Sequence, residues 1–311
     1  MKKVLFLLAV SLVTLTATAQ HFKVVKTQRF NAESAMFHPV FTPDGQSLLV
    51  SSEDYNGLSM FNMTTKKLTS LTKLPGSGWL PQISADGKTV VCKESHYADN
   101  KVSLHSIDLA TKASTTIARR VNHINSINLV NNKVEFAPIG GSLTAKQFTA
   151  RKVSTKAVSA ADDIFATCED LKVVVYNNGA RHELNLNTLS DDVDLYCWVS
   201  ISPDKKRVVF CGKRGTYTCR IDGSDLKYLG RFFAPAWCGN DFIVGHNTAS
   251  NDGYQISRGE IVVVPARGGQ LQQLTQSSSE LKMFPSASAD GKRIAYNSGD
   301  GKVYVMTIEK I

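Results

Sequence analysis

The sequence predicts an all-β protein, a closed β-propeller of four-stranded antiparallel blades, with seven blades favoured and six as the alternative count. Three observations predict it. A short segment with a tight-turn signature recurs along the chain, the mean spacing of its copies matches the length of one blade, and a strand-like stretch at the N-terminal end has no copy of its own.

The recurring segment is clearest in Pro39–Val50, Pro81–Cys92 and Pro285–Tyr296, which agree at Pro, at Ser/Thr, at Asp-Gly and at the closing apolar residues. Val199–Phe210 is a fourth copy, without the leading Pro and with Lys205 where the others have Gly. Weaker copies surround Asn131-Asn132, Glu169-Asp170 and Gly239-Asn240. Each copy reads as a hairpin, because Asp-Gly and Asn-Asn tolerate the positive φ of a tight reversal and lie between runs of Val, Ile, Phe and Tyr. Alternating segments such as Val102–Asp108 and Ser114–Ala118 supply third and fourth strands. From Pro39 to Pro285 is 246 residues over six steps, or 41 per repeat, within the about 40 to 45 of a four-stranded blade.

The remaining elements follow in chain order. Residues 1–19 read as a signal peptide: Lys2-Lys3, an apolar Val4–Val13, and Ala17-Thr18-Ala19 before the cut. A ten-residue apolar run is short of the roughly 20 residues of a membrane-spanning helix. Residues 20–311 then form a single propeller domain, exported to the periplasm or beyond, with no membrane span. Phe22–Phe30 is expected to complete the last blade and close the ring, removing the free sheet edges. The chain carries 36 Lys+Arg against 27 Asp+Glu; without Lys2 and Lys3 the balance is 34 − 27 = +7. These basic residues are scattered, which argues against nucleic acid and suits an anionic envelope component or an envelope protein as partner of a monomer.

Catalytic signatures are sparse. There is no G-x-S-x-G elbow, no H-E-x-x-H and no C-x-x-C pair. The Ser-x-x-Lys matches are scattered among repeat turns, as chance supplies them. No cofactor and no metal are expected. Asp191, Asp192 and Asp194 could offer oxygen ligands to calcium, but without the Gly and distal Glu of an EF-hand loop they read as a solvated acidic turn. Among six Cys, Cys92 occupies an apolar blade position. With Ser202 opposite Arg207, Trp198 would face Cys211 and Cys197 would point away. Cys211 and Cys219 flank Gly215 symmetrically and are the best disulfide candidate.

Thr42-Pro43-Asp44-Gly45, Ser84-Ala85-Asp86-Gly87, Ser202-Pro203-Asp204 and Ser288-Ala289-Asp290-Gly291 resemble the WD-repeat-like propeller repeats of the TolB family. Similar repeats occur in prolyl oligopeptidase-type propellers and oligogalacturonate lyases. The resemblance covers the whole mature chain but not the α/β domain that precedes the TolB propeller, since only 20–38 precede the first hairpin. It implies a noncatalytic periplasmic binding scaffold. The lyase resemblance implies an alternative, a polysaccharide lyase with a metal site at the central funnel. His38, His96, His123 and His246 lie near strand ends where such a site could gather.

Topology locates the candidate binding face. In a blade, the Asp-Gly turns share one face with the third-to-fourth turns. The second-to-third loops and the interblade connections share the other. That second face receives the longer loops, and with them Tyr55, Trp79, His96, Tyr97, Arg119, Arg120, His123, Tyr254 and Arg258. Long loops on a rigid scaffold are where binding concentrates, and aromatic and Arg side chains are favoured there.

Overall fold

The repeat turns are built from one hydrogen-bond pattern. Thr42 Oγ1 donates to Asp44 Oδ1 at 2.6 Å, the Gln46 N–H donates to the same oxygen at 2.9 Å, and the Ser47 N–H returns to Thr42 Oγ1 at 3.0 Å. Ser84–Asp86, Ser202–Asp204 and Ser288–Asp290 repeat the hydroxyl-to-carboxylate bond at 2.6, 2.6 and 2.5 Å. Each carboxylate is thereby fixed on backbone and hydroxyl donors, which hold Asp44, Asp86, Asp204 and Asp290 below the usual Asp pKa.

The computed structural model describes residues 20–30, 34–130, 133–148, 163–186, 196–250, 256–276 and 280–311. The expected signal peptide, the Asn131-Asn132 turn, the Asp191–Asp194 run and Tyr254 lie outside them. Among the described residues all regular structure is β, and no helix is long and apolar enough to cross a membrane.

The chain begins with β1 (Phe22–Phe30). Blade 1 is β2 (Phe37–Phe41), β3 (Ser47–Ser51), β4 (Leu58–Asn62) and β5 (Leu68–Thr72). Blade 2 is β6 (Gln82–Ile83), β7 (Thr89–His96), β8 (Lys101–Asp108) and β9 (Ser114–Asn122). Blade 3 holds β10 (Ile127–Val130), β11 (Lys133–Phe136) and β12 (Thr144–Gln147), and blade 4 holds β13 (Ile164–Glu169), β14 (Lys172–Asn177) and β15 (Ala180–Glu183). Blade 5 is β16 (Cys197–Ile201), β17 (Arg207–Gly212), β18 (Gly215–Arg220) and β19 (Lys227–Gly230). Blade 6 is β20 (Phe233–Cys238), β21 (Phe242–Ser250), β22 (Ile256–Pro265) and β23 (Gln272–Gln273). Blade 7 is β24 (Lys282–Ala287), β25 (Arg293–Ser298) and β26 (Val303–Lys310).

There are thus seven blades, not six. Every sheet pairs consecutive strands antiparallel except the last, where β1 adds to β26 in the order β1-β26-β25-β24. The N-terminal strand therefore closes the ring, with Phe22 opposite Lys310 and Phe30 opposite Val303. Five blades have four strands. Blades 3 and 4 show three among the described residues, one fewer than the repeat arithmetic predicts.

Middle strands are apolar on both faces because each blade is sandwiched between two others. Leu48–Val50, Val208–Phe210 and Val262–Val264 are all buried. The core accordingly divides into seven clusters, one per blade interface. Phe30, Val50 and Phe61 join Ala295 and Val305 between blades 7 and 1, and Phe22 and Phe242 join Tyr296 and Met306 between blades 6 and 7.

The cysteine geometry differs from the sequence expectation. The β17–β18 turn centres between Lys213 and Arg214, not on Gly215, so Cys211 faces Thr216 and Cys219 faces Val208. Cys211 and Cys219 are three strand positions apart, about 10 Å, too far for a disulfide. Ser202 does bond to Arg207 as expected. A bulge between Cys197 and Ser200 then shifts the register, so that Cys197, not Trp198, faces Cys211. All six cysteines are free thiols.

Candidate functional site

The innermost strands share an irregularity that builds the site. His38, Leu80, Trp198, Ala234 and Phe284 have φ of 51°, 48°, 54°, 48° and 52°, a left-handed backbone uncommon for residues other than Gly. Each immediately precedes the residue that opens a repeat: Pro39, Pro81, Val199, Pro235 or Pro285. In blades 1, 5, 6 and 7 the same place is a β-bulge, marked by register shifts at Phe37/Val40, Cys197/Ser200, Phe233/Ala236 and Met283/Ser286. A bulge re-aims a side chain that regular pleating would send elsewhere. These bulges sit at the ends of the inner strands away from the Asp-Gly turns, at the loop-face mouth of the central channel.

The re-aimed rings meet there. His38 stacks on Tyr55 at 3.7 Å between centroids and meets Phe284 at 4.4 Å. Tyr55 meets Trp79 edge-on at 4.8 Å, Trp79 meets Trp198 at 4.8 Å, and Trp198 lies 6.0 Å from Phe284. Trp79 enters blade 2 and Trp198 belongs to blade 5, so their contact spans the channel between blades that are not neighbours. The result is a half-buried aromatic floor across the mouth.

Polar groups around the floor are tied to it. His38 Nδ1 lies 2.8 Å from Ser51 Oγ, and the Phe284 N–H donates to His246 Nδ1 at 3.2 Å. Burial lowers the pKa of His38 and of His246 to about 4, so both are neutral at pH 7. Buried Lys93 donates to the carbonyls of Ile124 and Asn125 at 3.2 and 2.9 Å and lies 6.0 Å from the Trp79 ring centre. Desolvation lowers its pKa to about 7.

The other sequence candidates occupy the rim. Strands β7 and β8 have eight residues each, against five in β3 and β4, so this hairpin is about 10 Å longer at ~3.3 Å per residue. Tyr97, at its tip, is 72% exposed. Arg120 is ion-paired with Asp99, and its N–H donates to Ser103 Oγ at 3.1 Å. His96 Nε2 meets the same hydroxyl at 2.8 Å. Arg119 is exposed beside them. His123 is half-buried, its pKa lowered by burial and by Lys93. Blade 6 carries the other long hairpin, β21–β22, with exposed Arg258 paired opposite Ala249.

The structure thus brings Tyr55 and Trp79 into one floor and sets the blade 2 residues and Arg258 on separate hairpins. Sequence reasoning missed Trp198, Phe284 and Lys93, and gave His38 and His246 a different role. The position one residue upstream of the repeat alignment holds His38, Leu80, Trp198, Ala234 and Phe284, residue types with no shared chemistry to mark it. The four histidines proposed for a lyase do not converge: His38 and His246 flank Phe284, while His96 and His123 lie by blade 2. Among the described residues no group of three or more His, Cys, Asp or Glu could hold a metal ion.

Fold and site together define a seven-bladed β-propeller with an aromatic-floored loop face. No protein-family model and no curated protein matches the sequence. Among solved structures it is similar to the β-propeller domain of Cps50 (Swd1) from Myceliophteria thermophila, with a TM-score of 0.64 at 10% identity, covering 92% of this chain and 99% of that one. It is also similar to TolB from Acinetobacter baumannii, with a TM-score of 0.53 at 14% identity, covering 83% of this chain and 58% of that one. These likenesses show that the fold is that of TolB-like and WD40-like propellers.

Proposed function

We propose that the protein is an exported, noncatalytic propeller that captures an envelope protein or an anionic envelope component on its loop face. The observation that carries this reading is the aromatic floor at the channel mouth, rimmed by the two longest hairpins. Tyr97, Arg119 and Arg258 project from that rim, and aromatic and Arg side chains are the types that dominate binding energy in interfaces. On the opposite face the carboxylates of Asp44, Asp86, Asp204 and Asp290 are held by hydroxyls of their own turns, which leaves less for a partner to recognise. The TolB likeness supports a periplasmic site of action, as does the N-terminal export pattern. No observation favours the lyase alternative.

The test is capture from an envelope extract, read by mass spectrometry, with the full mature chain as bait. Tyr97→Ala combined with Arg119→Ala should keep the circular dichroism of the parent and lose the captured species. Lys88→Ala, on the turn face, should retain it. Equal capture by all three proteins overturns the loop-face reading.

A further inference from the structure

We propose that Cys197 and Cys211 are the site of a cross-strand disulfide, formed when the chain meets a disulfide oxidant, that pins β16 to β17 beside Trp198. Three observations place the two sulfurs together. The residues are register partners in the antiparallel β16–β17 ladder, where opposed Cα atoms lie about 4.5–5.5 Å apart, inside the span a disulfide accepts. Each side chain perturbs the other's titration, Cys211 lowering the pKa of Cys197 and Cys197 raising that of Cys211. The bulge is what creates the pair, since with the register of Ser200–Val209 continued Cys197 would point to the other side.

The two thiols differ in the way stepwise exchange requires. Cys197 is exposed, and its contact with Cys211 lowers its pKa, favouring the thiolate. Cys211 is 1% exposed, with its pKa raised by Cys197 and by burial, so it is kept protonated and shielded. The Cys197 thiolate attacks one sulfur of the oxidant disulfide and expels the first thiolate, which takes up a proton. Cys211 then loses its proton to solvent, attacks Cys197 Sγ and expels the second. Two protein thiols are oxidised by two electrons, and one oxidant disulfide is reduced to two thiols. The cross-link spans the bulge that holds Trp198 with φ of 54° on the aromatic floor, so it fixes a residue of the binding face without entering it. The other four cysteines are buried and do not face one another across a strand pair.

The experiment uses the full mature chain, reduced, freed of reductant and treated with oxidised glutathione. Thiols are then counted after denaturation, and cysteine peptides are mapped by mass spectrometry. The six thiols should fall to four, with one peptide linking 197 to 211. In Cys211→Ser, Cys197 should end as a mixed disulfide with glutathione. Should that core variant fail to fold, Cys197→Ser, at an exposed position, should keep all five of its thiols. Six thiols remaining in the parent, a stable glutathione adduct on Cys197, or linkage to another cysteine overturns the proposal.

Discussion

Asn297 Oδ1 accepts the backbone N–H of His38 at 3.0 Å, across the junction where blade 7 meets blade 1. The bulge at His38 removes that N–H from the ladder, and a buried N–H without an acceptor is costly. Related bonds recur around the ring. His246 of blade 6 accepts from the Phe284 N–H of blade 7. Lys93 of blade 2 reverses the polarity and donates to blade 3 carbonyls. Second strands thus staple blades 7 and 6 to the bulge of the next blade, and blade 2 to the entry of blade 3.

Replacing Asn297 by Ala should therefore destabilise the propeller. Asn297 is fully buried, and removing its side chain strands the His38 amide, at a cost of about 1–3 kcal/mol. Urea denaturation should show a lower midpoint with an unchanged slope, the sign of lost stability without altered compactness.

A second prediction concerns the turns. Gly45, Gly87 and Gly291 occupy the left-handed position of their Asp-Gly turns at φ of 65°, 69° and 66°, and Lys205 holds the same position at φ of 59°. A side chain there costs roughly 1–2 kcal/mol. Lys205 also has a half-buried ion pair with Asp163 at 3.5 Å, worth about 0–1 kcal/mol at this level of exposure. Lys205→Gly should accordingly stabilise by about 1 kcal/mol, the difference between the midpoints of those two ranges. Gly87→Ala should cost about 1 kcal/mol, and since a Cβ at Gly87 meets no atom within 4 Å, its effect is backbone strain alone. Thermal denaturation of the two variants should shift Tm in opposite directions.

These two cases show what the sequence carries and what it conceals. The hairpins are legible because Asp-Gly turns are local: residue type and φ requirement stand at the same position. The closing role of Phe22–Phe30 is legible because the repeat leaves that strand without a blade. The bulges are not, since His38, Leu80, Trp198, Ala234 and Phe284 share a backbone angle and no side-chain chemistry. Their consequences were concealed with them: Cys197 facing Cys211, and Trp198 and Phe284 joining Tyr55 and Trp79. Loop residues could be proposed from exposure alone, whereas the floor depends on strand residues that a register shift turns toward the channel.

The ring closure gives a third prediction. Phe22 is 5% exposed and meets Phe242 edge-on at 4.8 Å, and Gln272 Oε1 accepts the Phe22 N–H at 3.0 Å while its Nε2 donates to the Phe22 carbonyl at 2.7 Å. This end of β1 therefore ties blade 7 to blade 6. Phe22→Ala should cost about 3–5 kcal/mol, as for other buried Phe truncations. It should also raise hydrogen exchange across β26, because loosening β1 frees the β26 edge.

The fourth prediction is a dependence of stability on pH. His38 and His246 have pKa values of about 4 in the folded protein, lowered by burial from 6.5. Between those values the unfolded chain binds protons that the folded one refuses, so acidification favours unfolding. Their contribution is complete above about pH 6.5 and is lost as pH falls toward 4, at about 1.4 kcal/mol per pKa unit for each group. His123, also lowered, acts with the same sign. The turn aspartates are lowered from 3.8 and act in a more acidic window. Lys93, at about 7 instead of 10.5, likewise adds stability as pH rises through that interval. Urea midpoints at pH 7, 5.5 and 4.5 should therefore fall steadily for the parent and less steeply for His38→Asn combined with His246→Asn. Parallel slopes for the two proteins would show that these histidines protonate without unfolding cost.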